Sequence, residues 1–184
     1  MTEKKITLRV NGRTHELSVA ANASLLETLR ALGHVDVKSG CDKGDCGACT
    51  VLLDGKAVPS CLVLAAQADG ATITTVSGLG TAEHPHPIQE AFADAGAIQC
   101  GFCTPGLILS TKALLDANPD PTEAEIREAI SGNLCRCTGY AQIVEAVRLA
   151  AERLASEGVA RPGAILPGEV ARADQPIRRG GEMP

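Results

Sequence analysis

Gly40-Cys41-Asp42-Lys43-Gly44-Asp45-Cys46-Gly47-Ala48-Cys49-Thr50 decides the reading of this chain, and Cys61 completes it on the far side of an Asp54-Gly55 turn. The gaps read C-x4-C-x2-C-x11-C, the spacing that holds a plant-type [2Fe–2S] cluster. Two irons bridged by two sulfides need four thiolates at tetrahedral corners, and the assembled group is an anion in both redox states. A buried anion is costly unless hydrogen-bond donors surround it. Gly40, Gly44, Gly47 and the small Ala48 let the backbone curl closely and aim N–H groups at sulfur, forming an anion-binding nest. Zinc, a disulfide framework and simple core packing all use cysteines. None of them accounts well for three cysteines in so glycine-rich a loop with a fourth far downstream.

Working outward, the flanking pattern is that of a small mixed domain. Ile6, Leu8 and Val10 alternate with polar residues, Asn11-Gly12 interrupts, and Leu17 and Val19 resume, which predicts a hairpin. Ser24-Leu25-Leu26-Glu27 is a capping box opening a helix with Leu25, Leu26, Leu29 and Leu32 on one face and Gly33 at its end. After the cysteine loop, Thr50 to Leu53, Val58 to Leu64 (carrying Cys61) and Ala71 to Val76 read as strands. Strands, one helix, a cysteine loop and more strands give an α+β order, a mixed sheet packed on one helix with the loop at its rim.

Ser77 to Pro87 breaks all periodicity and reads as a linker, in which His84 and His86 are exposed polar residues rather than metal ligands. From Ile88 the period becomes helical. Ile88, Ala91, Phe92 and Ala95 mark one helix ending at Gly96, and a second starts with Thr104 as N-cap and Pro105 in its first turn. Thr122-Glu123-Ala124-Glu125 caps a third, and a fourth spans about Tyr140 to Ala155, so that four short helices suggest a bundle. Two cysteine pairs, Cys100/Cys103 and Cys135/Cys137, precede the second and fourth helices. If those helices lie side by side, their N-termini bring four more thiols to one centre and their dipoles offset its charge. A second [2Fe–2S] cluster uses all eight cysteines, four to each site; a structural zinc site is the rival for this set.

Composition agrees with two small metal-stapled domains. The 184 residues include eight cysteines, only Phe92, Phe102 and Tyr140 as aromatics, and no Trp, so aromatic mass for the cores is scarce and metal–ligand bonds supply folding energy. A net charge of −5 without a basic stripe argues against nucleic acid as partner. Met1 to Ile6 runs into strand pattern without an apolar leader, so the expectation is a cytoplasmic protein. In that compartment clustered thiols read as metal ligands. No apolar run reaches the length of a membrane span.

Three motifs together, Gly40 to Thr50, Gln99-Cys100-Gly101-Phe102-Cys103-Thr104-Pro105-Gly106 and Gly132-Asn133-Leu134-Cys135-Arg136-Cys137-Thr138-Gly139-Tyr140, resemble the iron–sulfur module of the xanthine oxidase family of molybdenum hydroxylases. The likeness covers about residues 5–155. It implies a β-grasp ferredoxin domain over 1–77, a linker over 78–87 and a four-helix-bundle domain over 88–156. Cys41, Cys46, Cys49 and Cys61 would bind the cluster nearer the flavin; Cys100, Cys103, Cys135 and Cys137 would bind the one nearer molybdenum. Gln99 matches the family glutamine that hydrogen-bonds the pterin, and Cys137 the ligand closest to it.

The resemblance further implies a large subunit holding molybdopterin as its cytosine dinucleotide and a medium subunit holding FAD, in a heterotrimer or a dimer of heterotrimers. No residue of this chain is expected to be catalytic, since nothing in it resembles the molybdenum- or flavin-binding domains. Its expected role is one-electron transfer from the molybdopterin centre to FAD or another acceptor; the alternative is a free-standing iron–sulfur carrier or sensor. Residues 157–184 are rich in Gly and Pro and without period, and are expected either to be disordered or to wrap a partner through Ala164-Ile165-Leu166-Pro167.

Overall fold

Ile6, Leu8 and Val10 are buried on one face of β1 (Glu3–Val10), which pairs antiparallel along its whole length with β2 (Arg13–Ala20). The expected turn joins them: Asn11 and Gly12 both adopt left-handed φ, at 49° and 80°, the geometry that matches the twist of a tight hairpin. Asn11 also organises a neighbour, because its Oδ1 accepts from Thr75 N–H and its Nδ2 donates to Thr75 Oγ1, both at 2.9 Å. That fixes β5 (Thr72–Thr74) parallel to β1. With β3 (Thr50–Leu53) and β4 (Lys56–Pro59) the sheet has five strands in the order β2-β1-β5-β3-β4.

The structure, a computed structural model, describes residues 2–156. The tail expected to wrap a partner, residues 157–184, lies outside them. One helix, α1 (Leu25–Ala31), covers the sheet, and its Ser24/Glu27 capping box is formed as expected. Leu25, Leu26 and Leu29 pack with Leu8, Val51 and Ile73 in the first core. The first half is thus a mixed α/β unit of the kind a [2Fe–2S] ferredoxin domain requires.

Two strand expectations are corrected. β4 ends at Pro59 and Cys61 sits on a single 3₁₀ turn, Ser60–Leu62, rather than on a strand running to Leu64. The reason lies in the partner: Pro59 pairs with Thr50, the first residue of β3, and before Thr50 the chain is the cysteine loop, which offers no ladder. β5 is likewise shorter than the expected 71–76, and a 3₁₀ turn at Val76–Gly78 follows it.

The second half contains α2 (Pro87–Asp94), α3 (Thr104–Ala117), α4 (Glu123–Ala129) and α5 (Ala141–Ser156). They enclose a second core of Ile88, Phe92, Leu107, Leu115, Ile126, Ile143 and Val147. Among the described residues no helix is long and apolar enough to cross a membrane. Residues around the expected linker are tied down at both ends: Ser77 donates through N–H and Oγ to Asp36, and Gln89 donates to the Val76 carbonyl. His86 is half-buried rather than exposed and caps α2, its Nδ1 accepting from Ile88 N–H at 3.2 Å while Gln89 reaches back to its own N–H.

Cys103, not Thr104, is the N-cap of α3. Nor do α3 and α5 lie side by side: α5 packs chiefly on α2, and α3 rests on α2, α4 and the β3–β4 edge. α3 therefore contributes to the helical core and packs on the sheet edge as well.

Truncating Phe92, which is fully buried, to Ala should cost about 3–5 kcal/mol, whereas Ser24→Ala should cost about 1 kcal/mol through loss of its cap. Denaturant unfolding followed by far-ultraviolet circular dichroism checks both.

Candidate metal centres

The loop between α1 and β3 turns its amides inward through left-handed residues, Asp42 at φ 55°, Gly44 at 87° and Gly47 at 67°. The N–H groups of Lys43, Cys46 and Asp45 fall on the Cys41 sulfur and bring its thiol down to about 7. Burial and the neighbouring Cys49 push Cys61 up to about 11, although the Gly44 N–H is directed at it. Burial likewise raises Cys46 against the opposing Ala48 N–H. Ser60 places Cys61 by donating to the Cys49 carbonyl through its backbone N–H at 3.3 Å and its hydroxyl at 2.7 Å. The result is two thiol pairs, Cys41 with Cys46 and Cys49 with Cys61.

The second set is assembled by loops at one end of the helices. Cys103, at the start of α3, is buried and pairs with the half-buried Cys135; Cys100 and Cys137 are exposed and pair with each other. Burial, then the neighbouring Cys135, pushes Cys103 up to about 12. Burial would raise Cys135 as well, but the Thr138 hydroxyl, 3.3 Å from its sulfur, and the N–H groups of Cys137 and Thr138 outweigh it and bring the thiol to about 7. Contact with Cys100 raises Cys137. Tyr140 closes this loop, its hydroxyl donating to the Asn133 carbonyl at 2.9 Å and accepting from Cys135 N–H at 2.8 Å.

The two sets meet at a seam. Leu134 N–H donates to the Cys46 carbonyl at 2.9 Å, so one hydrogen bond links a residue of the first set to the neighbour of Cys135. Asn133, 3% exposed, donates from Nδ2 to the Gly47 carbonyl at 2.9 Å and to Thr50 Oγ1 at 3.2 Å, and accepts from Ser110 Oγ at 2.6 Å. The approach has no spare room: a Cβ on Gly47 would lie 2.2 Å from the Gly132 carbonyl oxygen, and one on Gly106 would lie 2.4 Å from the Gly47 carbonyl oxygen. Gln99 is exposed beside Cys100, and Ile98, Phe102 and Leu134 are exposed apolar residues around the same set.

The donor sets fit binuclear iron–sulfur groups. Each set offers two pairs of thiols, one pair for each of two irons, with backbone and hydroxyl donors aimed at sulfur. The eight cysteines expected as ligands lie in pairs, Cys41 with Cys46, Cys49 with Cys61, Cys103 with Cys135 and Cys100 with Cys137. Asn133, Tyr140 and Ser60 were not singled out by sequence reasoning. Asn133 and Tyr140 bracket the Cys135/Cys137 pair and Ser60 adjoins Cys61, and that adjacency was the available signal.

Fold and thiol sets together define a two-site iron–sulfur protein built to carry electrons. Residues 8–75 match the family described as "2Fe-2S iron-sulfur cluster binding domain", and residues 75–148 match "[2Fe-2S] binding domain". The nicotinate dehydrogenase small FeS subunit of Eubacterium barkeri is 51% identical over 153 residues, covering 83% of this chain and 98% of that one. Quinoline 2-oxidoreductase from Pseudomonas putida 86 has a chain that superposes with a TM-score of 0.80 at 41% identity, over 86% of this chain and 99% of that one. In the aldehyde oxidoreductase of Desulfovibrio desulfuricans the corresponding region, 47% identical with a TM-score of 0.81, covers 84% of this chain but only 17% of the longer chain that contains it. This chain belongs to the iron–sulfur subunits of the xanthine oxidase family of molybdenum hydroxylases, and it is an electron-transfer subunit of an oxidoreductase.

Gly47→Ala should disrupt the seam, because the added methyl meets backbone on the Gly132 side and the residue's φ is positive. Gly44→Ala shares the strain of a positive φ but meets only the Leu62 side chain, which can move, and no backbone. Iron content and thermal midpoint, measured on both variants, should fall further for Gly47→Ala.

Proposed function

We propose that Cys41, Cys46, Cys49 and Cys61 hold one [2Fe–2S] cluster and that Cys100, Cys103, Cys135 and Cys137 hold the other. The observation that carries this assignment is the gathering of the thiols two by two, each set under a group of N–H donors. When bound, each cluster takes up or releases one electron at a time. The chain's own residues do the rest. Amides of Lys43, Asp45, Cys46 and Ala48 stabilise negative charge at the first set, the Thr138 hydroxyl and the amides of Cys137 and Thr138 do so at the second, and the Cys46–Leu134 hydrogen bond is a direct link between them.

On this reading residues 1–77 form a β-grasp ferredoxin domain, 78–87 the connection and 88–156 a four-helix bundle. Gln99 and Cys137 face the molybdopterin of a large subunit, held as the cytosine dinucleotide, and the first set delivers electrons to FAD of a medium subunit. The complex is a heterotrimer, or a dimer of heterotrimers, in the cytoplasm. Exposure supports these orientations. Gln99, Cys100 and Cys137 are open to a partner, and Gln99 makes no side-chain hydrogen bond among the described residues. On the other side, Cys61 lines an open hollow of about 480 Å³ with Leu26, Arg30, Ser39 and Asp42.

Replacing Cys46 by Ser should remove the first cluster and replacing Cys135 by Ser the second, each lowering iron from about four to about two per chain. In the assembled complex, either change should abolish electron delivery to the acceptor while leaving molybdenum content unchanged. Metal analysis with single-turnover reduction by substrate reads both outcomes. Full iron content in both variants would refute the ligand assignment.

A further inference from the structure

The geometry points to Asn133 as a positioning residue for electron transfer between the two thiol sets: its carboxamide fastens the Gly47–Thr50 backbone to the loop carrying Cys135 and so keeps the Cys46–Leu134 hydrogen bond in register. The inference rests on the cluster assignment above. Asn133 is 3% exposed and meets three separate elements, the first cysteine loop at Gly47, β3 at Thr50 and α3 at Ser110.

Its amide fits in one orientation. The Thr50 hydroxyl donates its hydrogen to the Gly47 carbonyl at 2.7 Å, so Thr50 Oγ1 is left to accept from Nδ2, and the Gly47 carbonyl accepts from Nδ2 as well. Oδ1 then takes the Ser110 hydroxyl. Buried amide groups satisfied at both ends fix a geometry that apolar packing leaves loose.

The next residue needs that fixing. Leu134 is 57% exposed and belongs to neither core, so core packing does not hold its backbone against Cys46. Tyr140 clamps the loop internally, between the Asn133 carbonyl and Cys135 N–H. At this seam Asn133 is the side chain that carries the grip across to the other half. Gly47 and Gly106 complete the device, since a Cβ on Gly106 would lie 2.9 Å from Asn133 Nδ2 as well as against Gly47.

The test uses the assembled complex with Asn133→Ala and Asn133→Asp. The aspartate matches the shape but has no N–H to donate to Gly47 or Thr50. Iron per chain and the separate electron paramagnetic resonance signals of the two clusters report on the cluster assignment itself. Amide exchange at Leu134, the magnetic interaction between the two reduced clusters and the rate of electron passage between them report on Asn133. Both variants should keep both signals, exchange the Leu134 amide about tenfold faster, and show a weakened interaction with slower passage. Ser110→Ala, which removes only the bond at Oδ1, should move the same readouts in the same direction by less, and serves if the other variants fail to assemble. Wild-type exchange, interaction and rate in variants that retain both clusters would overturn the proposal. Absence of both signals in the unaltered complex would instead sink the cluster assignment.

Discussion

Two backbones meet at Gly47 and Gly132-Asn133 with no room for a methyl group between them, and the rest of the molecule is arranged around that contact. The first cysteine loop ends at the seam, the second begins there, and α3 lies beneath both with its own glycine, Gly106, facing Gly47. Each half has its own hydrophobic core and α3 packs on the β3–β4 edge, but that packing does not by itself fix the register of the two cysteine loops. Polar bonds do: Asn133 with Gly47, Thr50 and Ser110, Leu134 with Cys46, and Ser77 with Asp36. Hydrogen bonds are directional where apolar packing is not, and a relay for electrons needs a fixed separation more than it needs extra stability.

The second constraint is electrostatic. Four thiolates around two irons would concentrate negative charge in a small volume, and the lysine of the first loop, Lys43, is paired with Asp45. Dipoles serve instead. In the loop, left-handed φ at Asp42, Gly44 and Gly47 turns successive N–H groups inward; at the helical set, the Thr138 hydroxyl and two amides converge on Cys135. Fixed donors of this kind stabilise charge without needing to reorganise when it changes by one electron, which suits a carrier.

Much of this was legible in the sequence. The Asn11-Gly12 turn and the Ser24 and Thr122 capping boxes depend on neighbours close in the chain, and each is formed as read. The misreadings share a cause. Val58 to Leu64 has strand composition, but its ladder partner runs out at Thr50, a fact about another segment. His86 looked like an exposed linker residue until Gln89 folded back to complete a cap. Asn133 stands beside a cysteine pair, but nothing local marks its three partners, which lie 23, 83 and 86 residues away. The expected adjacency of α3 and α5 failed for the same kind of reason: both helices have apolar faces, and which faces meet is settled by tertiary packing.

The aldehyde oxidoreductase that contains this module within a far longer chain shows the same unit working as part of one polypeptide, which suits a module whose cysteines open toward a neighbour at Cys100 and Cys137. Two distinct binuclear iron–sulfur clusters held in one frame are what we propose for the two thiol sets. The most direct test is electron paramagnetic resonance of the anaerobically purified, dithionite-reduced protein together with elemental analysis. Two separate signals integrating to about two spins per chain are expected, with about four irons and no stoichiometric zinc. A colourless protein with zinc in either thiol set, or a single signal of about one spin, would contradict the proposal.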